Sequence, residues 1–203
     1  MTIKTAKDIC GENFVGPDEL ARLPWLKVEK GAVPEIPFSE SLLRTHAGSH
    51  ILALTPRTPH LTVCWLRERF GVDPLHEPCM YNQDWYIKET FANTPMDGTW
   101  HLIQKTVRED MRAKTPEDIE KHLRGEQFPT VMTAAFTFFA WHTLHGEVLW
   151  KHDFLWCSDR DHNGDRIYVG RYADPTGVNK NGFNIHRYLE LRPAYSAAPE
   201  ISA

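Results

Sequence analysis

The stretch between Pro129 and Gly146 limits what this chain can become more than any other. Val131, Ala134, Ala135, Phe138, Phe139, Trp141 and His142 fall on nearly every side of a helix drawn through it. A surface helix keeps a polar face, so a helix apolar almost all round belongs inside a core. Thr133 and Thr137 interrupt the run, and it is too short to span a bilayer, which takes roughly 20 residues. The rest of the chain must therefore cover this helix from several directions.

With 203 residues, 41% of them hydrophobic and seven of them tryptophan, there is material for one well-buried core, or one core and a small appendage. Disorder is expected only in the tail, residues 196–203. The elements before the core helix are short and punctuated. Pro17, followed by Asp18 and Glu19, begins a helix. Pro34 and Pro37 hold a connector extended. Ser39 caps a helix running to His46, and His50–Leu54 reads as a strand. Thr58-Pro59 opens a helix carrying Leu61, Cys64, Trp65 and Phe70, closed by Gly71. Gln83–Asn93 is expected to be helical and Trp100–Lys105 a strand. Thr115-Pro116-Glu117-Asp118 has the N-cap, the N1 proline and the first-turn acids of a helix start, with Gly125 as its stop.

After Gly146 the pattern changes to sheet. Asp153–Cys157, Arg166–Tyr172 and Phe183–Leu191 carry strand residues. Asp161-His162-Asn163-Gly164 is a hairpin turn, because Asn-Gly accepts the positive φ angles of a tight turn. From Trp100 onward the order is strand, helix, helix, strand, strand, strand: an α+β protein.

The net charge of −4 disfavours bulk nucleic-acid binding, which needs a surplus of Lys and Arg on one face. No apolar run follows the first lysines, and no long apolar segment occurs elsewhere, so the expectation is a soluble, cytoplasmic protein without a membrane role. Cys10, Cys64, Cys79 and Cys157 are scattered, with no Cys-x-x-Cys pair, and read as reduced thiols.

Three stretches carry possible chemistry. Asp159, Asp161, Asn163 and Asp165 alternate like the first half of a calcium loop, but the twelfth position is Gly170 rather than an acid. A turn rich in Asp and Asn has the same composition without a cation. His142 and His145 share a helix face and His152 follows, a set of metal-ligand types without a His-Glu-x-x-His pattern. No cofactor motif or nucleophile signature is present, so the expectation is no cofactor and no catalytic residue. The third stretch, Asn179 to Tyr188, interleaves amide, aromatic, His and Arg side chains. Such a mixture suits adaptable recognition, and it equally suits an edge strand with a polar face.

Several blocks together resemble a family of small uncharacterised bacterial proteins. They are Gly11–Leu20, Ile36–Ser39, Pro78–Tyr86, Trp100–Ile103 and Ser158–Gly170 with its Asp-x-Asn-Gly-Asp-Arg-Ile-Tyr-Val-Gly core. Some members look like the variable target proteins of diversity-generating retroelements, which display an Asn-, Asp- and Tyr-rich C-terminal segment on a C-type-lectin-like fold. The resemblance implies that fold for residues 97–195, with residues 1–96 as an N-terminal helical and extended region packed on it. The corresponding display segment is Arg171–Tyr188, where Phe183 and Ile185 are interspersed with Asn179, Asn181, Asn184 and Tyr188, and Leu189 follows directly.

The leading expectation is therefore a non-catalytic binding protein for a small ligand or a protein. Its surface would comprise Arg171, Asn179, Asn181, Phe183, Asn184, His186 and Tyr188. The alternative is a metal-assisted hydrolase built on His142, His145 and His152, and a third is an assembly component.

Overall fold

A computed structural model describes residues 1–27, 32–172, 181–188 and 190–202. It confirms an α+β protein, with seven α-helices and two mixed sheets among the described residues. The core helix is α7, Val131–His145, and every residue from Val131 to Trp141 is buried. Its two buried threonines are satisfied locally. Thr137 Oγ1 donates to the carbonyl of Thr133 at 2.8 Å, and the Thr133 and Thr130 hydroxyls lie 2.8 Å apart. Thr130 is the N-cap, and Gly146 ends the helix in the left-handed conformation, φ 68°.

The elements preceding α7 are α1 (Ile3–Cys10), β1 (Phe14–Val15), α2 (Pro17–Ala21), α3 (Glu40–His46), β2 (His50–Leu54), α4 (Val63–Phe70), α5 (Thr90–Asn93), β3 (Trp100–Gln104), α6 (Pro116–Glu120) and β4 (Glu126–Gln127). Those following it are β5 (Phe154–Arg160), β6 (Arg166–Tyr172), β7 (Gly182–Arg187), β8 (Tyr195–Ser196) and β9 (Glu200–Ile201). One sheet runs β1-β2-β3-β9-β4 and the other β7-β6-β5-β8. Helix α7 touches β5 and β6 on one side and α4 and α5 on another. Phe139 stacks on Phe70 at 4.1 Å, and Phe138 meets Phe183 at 4.9 Å, so both parts of the chain close over it.

Several local expectations change. The α4 cap is Thr62, whose hydroxyl accepts from the Trp65 amide, rather than Thr58. Only Thr90–Asn93 of the expected 83–93 helix is helical; the turns before it place Trp85 and Glu89 beside other segments. α6 stops at Glu120, well short of Gly125. The tail is ordered through Ser202: Ala197 and Ala198 are fully buried, and β9 pairs with β3 and β4. Strand β2 pairs with β3 across five residues, so residues 1–96 and the C-terminal half share one sheet. Among the described residues no helix is long and apolar enough to cross a membrane.

Candidate functional site

Of the residues expected to form one binding face, the described ones lie in or beside β6 and β7, but they do not form one surface. Phe183 and Asn184 are 1% and 2% exposed, and Arg171 is 5% exposed. Phe183 packs against Phe138, Asn184 Nδ2 donates to the Gly182 carbonyl at 3.0 Å, and Arg171 is ion-paired with Glu77. His186 lies over Tyr168 at 5.5 Å, and Gln83 Nε2 approaches its Nε2 at 2.9 Å. Burial pulls its imidazole down to about 4, which keeps the ring neutral. Tyr188 sits edge-on to Trp156 at 5.1 Å, and Asn181 is half-buried. Asn179 lies outside the described residues.

The cover over β7 is the segment Cys79–Trp85. The Tyr81 amide donates to the Phe183 carbonyl at 2.9 Å, the Phe183 amide donates to Cys79 at 2.8 Å, and Trp85 Nε1 donates to the Ile185 carbonyl at 3.1 Å. Gly182 makes this approach possible. Its φ is 131°, and a Cβ there would stand 2.6 Å from the Tyr81 nitrogen. An exposed placement of Asn184 and Phe183 is thus corrected: β7 carries another segment along its start, so it is not an open edge.

The metal-ligand candidates also separate. Asp159 Oδ2 accepts from the Val131 amide at 2.6 Å, so this carboxylate caps α7, and burial raises its pKa. Asp161 Oδ1 accepts from the amides of Asn163 and Asp165, both at 2.9 Å, inside its own turn. That is an Asx-type turn, which explains the acidic composition without a cation. His145 stacks on Trp141 at 3.9 Å, while the His152 amide donates to the Arg171 carbonyl. Burial lowers the pKa of both His142 and His145. Among the described residues no group of three or more His, Cys, Asp or Glu is arranged to hold a metal ion. Nor are the thiols activated: burial pushes Cys10 and Cys79 up to about 11.

A concave site appears elsewhere, at the tip of the β5–β6 hairpin. It is a pocket of about 420 Å³ between that tip and the turns leading into α5. Trp85 forms its aromatic wall, Lys88, Glu89 and Thr90 one side, and Arg160, Asp161 and His162 the other. Glu89 joins the two sides. Its side chain is only 9% exposed, and its two oxygens accept from the His162 backbone amide at 3.0 Å and from His162 Nδ1 at 2.6 Å. The ring itself is 66% exposed. Behind the pocket, Arg187 lies 5.4 Å over the Trp85 ring and 3.5 Å from Asp161 Oδ2.

Two other cavities are less suited. One of about 320 Å³ contains Glu120, Glu126 and Glu200, but each already faces a cation: Arg166 at 2.5 Å, Arg108 at 3.1 Å and His101 at 2.7 Å. Another of about 300 Å³ lies between Trp25 and Trp65 and is mainly apolar.

Local sequence had marked Trp85 and Lys88 as helix residues and His162 as a turn residue. Glu89 carried no signal, because its partner is 73 positions away. No protein-family model, curated protein or solved structure matches the chain.

Proposed function

We propose that this is a non-catalytic binding protein that takes a small ligand in the pocket between Trp85–Thr90 and the β5–β6 hairpin tip, on a C-type-lectin-like C-terminal half. The observation that carries the reading is the pair of hydrogen bonds that His162 donates, from its backbone amide and Nδ1, to the buried Glu89 carboxylate. It fixes a hairpin tip and an opposing turn at a set spacing before any ligand arrives, and preorganisation of that kind lowers the ordering cost of binding. What supports the C-type-lectin-like half is the order β3, α6, α7, β5, β6, β7, interrupted by the two-residue strand β4 between the helices, with the late strand β9 returning to pair with β3. Four free cysteines fit a cytoplasmic setting, where thiols stay reduced.

A fragment screen read by amide and indole chemical shifts tests the site. Hits should cluster on Trp85, Thr90 and His162, and should weaken in Glu89→Gln, which loosens the bond to the imidazole. Hits confined to the Trp25–Trp65 cavity, or to the exposed part of Asn181–Tyr188, would move the site and overturn this reading.

A further inference from the structure

We infer that the ligand of this pocket is a small monoanionic acid, a carboxylate attached to a planar apolar body. The inference rests on the pocket reading above and adds the ligand's chemical class.

Charge decides the sign. Neither acid in the wall is open to a ligand: one is bonded through both oxygens and the other is enclosed. Glu89 has both oxygens bonded to His162. Asp161 has Oδ1 on two amides, while its Oδ2, which accepts no hydrogen bond, is fully buried 3.5 Å from Arg187. An arriving cation would have to break the bonds of Glu89 to His162, leaving a buried donor unpaired, or reach the enclosed carboxylate of Asp161. The cationic side is differently placed. Lys88 is exposed and has no hydrogen-bond or ion-pair partner among the described residues. Arg160 donates one bond, from Nη1 to the Gly164 carbonyl at 2.8 Å, and its Nη2 stands 3.9 Å from Glu117. His162 has its Nδ1 committed to Glu89, so in the neutral ring Nε2 carries a lone pair, and it donates to an anion only when the ring is protonated. An anion therefore finds the unpaired Lys88 ammonium and the remaining guanidinium N–H donors of Arg160 without displacing a protein hydrogen bond.

The number of charges follows from the same wall. The Glu89 carboxylate stands within it, so a dianion such as a phosphate would bring a second negative charge toward that acid, whereas a single negative charge is matched by Lys88. The chain as a whole carries −4, so attraction must come from these local groups rather than from a long-range field. The planar body follows from Trp85. Its indole is held by the bond to the Ile185 carbonyl and offers a flat apolar surface in a pocket too small for a large ligand.

Three probes with the same ring separate the possibilities: benzoate, benzyl alcohol and benzamidine, each titrated into the full chain and followed by amide and indole shifts. Benzoate should perturb the Trp85 indole and the His162 and Asn163 amides. Its affinity should fall about tenfold in Lys88→Ala and recover in Lys88→Arg, consistent with loss of one charge-assisted contact. Trp85→Leu should also weaken it, but Trp85 packs on Tyr86 and Phe91, so exposed Lys88 is the decisive position. Benzamidine shifting the same resonances as strongly as benzoate would overturn the anion assignment while leaving the pocket as the site. Benzoate binding unchanged in Lys88→Ala would overturn it too. If none of the three perturbs these resonances, both the ligand class and the pocket fail.

Discussion

The imidazole Nδ1 of His101 lies 2.7 Å from Oε2 of Glu200, and this pair ties the last strand to the centre of the first sheet. The two side chains are 11% and 5% exposed. Gln127 Nε2 completes the carboxylate at 2.8 Å, and Asp97 stands 3.8 Å from His101 Nε2. Burial works against the charged ring, but Asp97 and Glu200 outweigh it and hold His101 at about 9.

The pair makes stability depend on pH. The folded value, about 9, lies above the ordinary 6.5, so protonation favours the folded state. The contribution is complete below about 6.5, shrinks as pH climbs toward 9 and is gone above it. At 1.36 kcal/mol per pKa unit the full swing is about 3 kcal/mol. Urea melts across that range should show this loss, and Glu200→Gln should flatten it. An equally steep decline in Glu200→Gln would assign the effect to other groups.

Phe138→Ala removes a ring that is 1% exposed and touches both Phe139 and Phe183. The expected loss is about 3–5 kcal/mol by denaturant unfolding. A loss under about 1 kcal/mol would be incompatible with a helix buried on every side.

Asn184→Ala separates a structural role from a recognition role. The amide is 2% exposed and donates to the Gly182 carbonyl, beside the glycine that admits the Cys79–Tyr81 segment. Its removal should cost about 1–3 kcal/mol of stability. An unchanged melt would mean that the side chain is free of the fold and available to a partner.

Glu89→Gln should act locally. The bond from His162 Nδ1 loses its charged acceptor, so hydrogen exchange at the His162 amide should accelerate about tenfold, with little change in global stability. If the exchange rate does not move, Glu89 does not hold the hairpin tip.

Chelator should leave the melting curve of untagged protein where it is, since Asp159 and Asp161 already accept from backbone amides. A chelator-sensitive melt with stoichiometric metal would instead restore that loop, or His142, His145 and His152, as a metal site.

Local rules acted strongly where a segment's own residues decide its shape. The all-round apolar pattern from Val131 placed α7 in the core, because no polar face was available for water. Thr115, Thr130 and Ser39 capped the helices that follow them, since a hydroxyl three residues from an amide needs no distant partner. The Asn163-Gly164 turn formed its hairpin for the same reason, with Gly164 at φ 86°.

What lay beyond the sequence was every feature made by segments far apart in the chain. The polar and aromatic mixture from Asn181 to Tyr188 looks like a display face in isolation, and only the Cys79–Trp85 cover decides that Phe183 and Asn184 are interior. The residues 196–202 look like a loose tail, and only pairing with β3 and β4, with His101 on Glu200, makes them part of a sheet. Glu89 reads as one more surface acid until His162 is set beside it. Sequence thus determined the helix at the centre, its caps and the hairpin turn, because periodicity and capping act over three or four residues. The tertiary structure decided which faces remain open and which charges remain unpaired, because both depend on what packs against them.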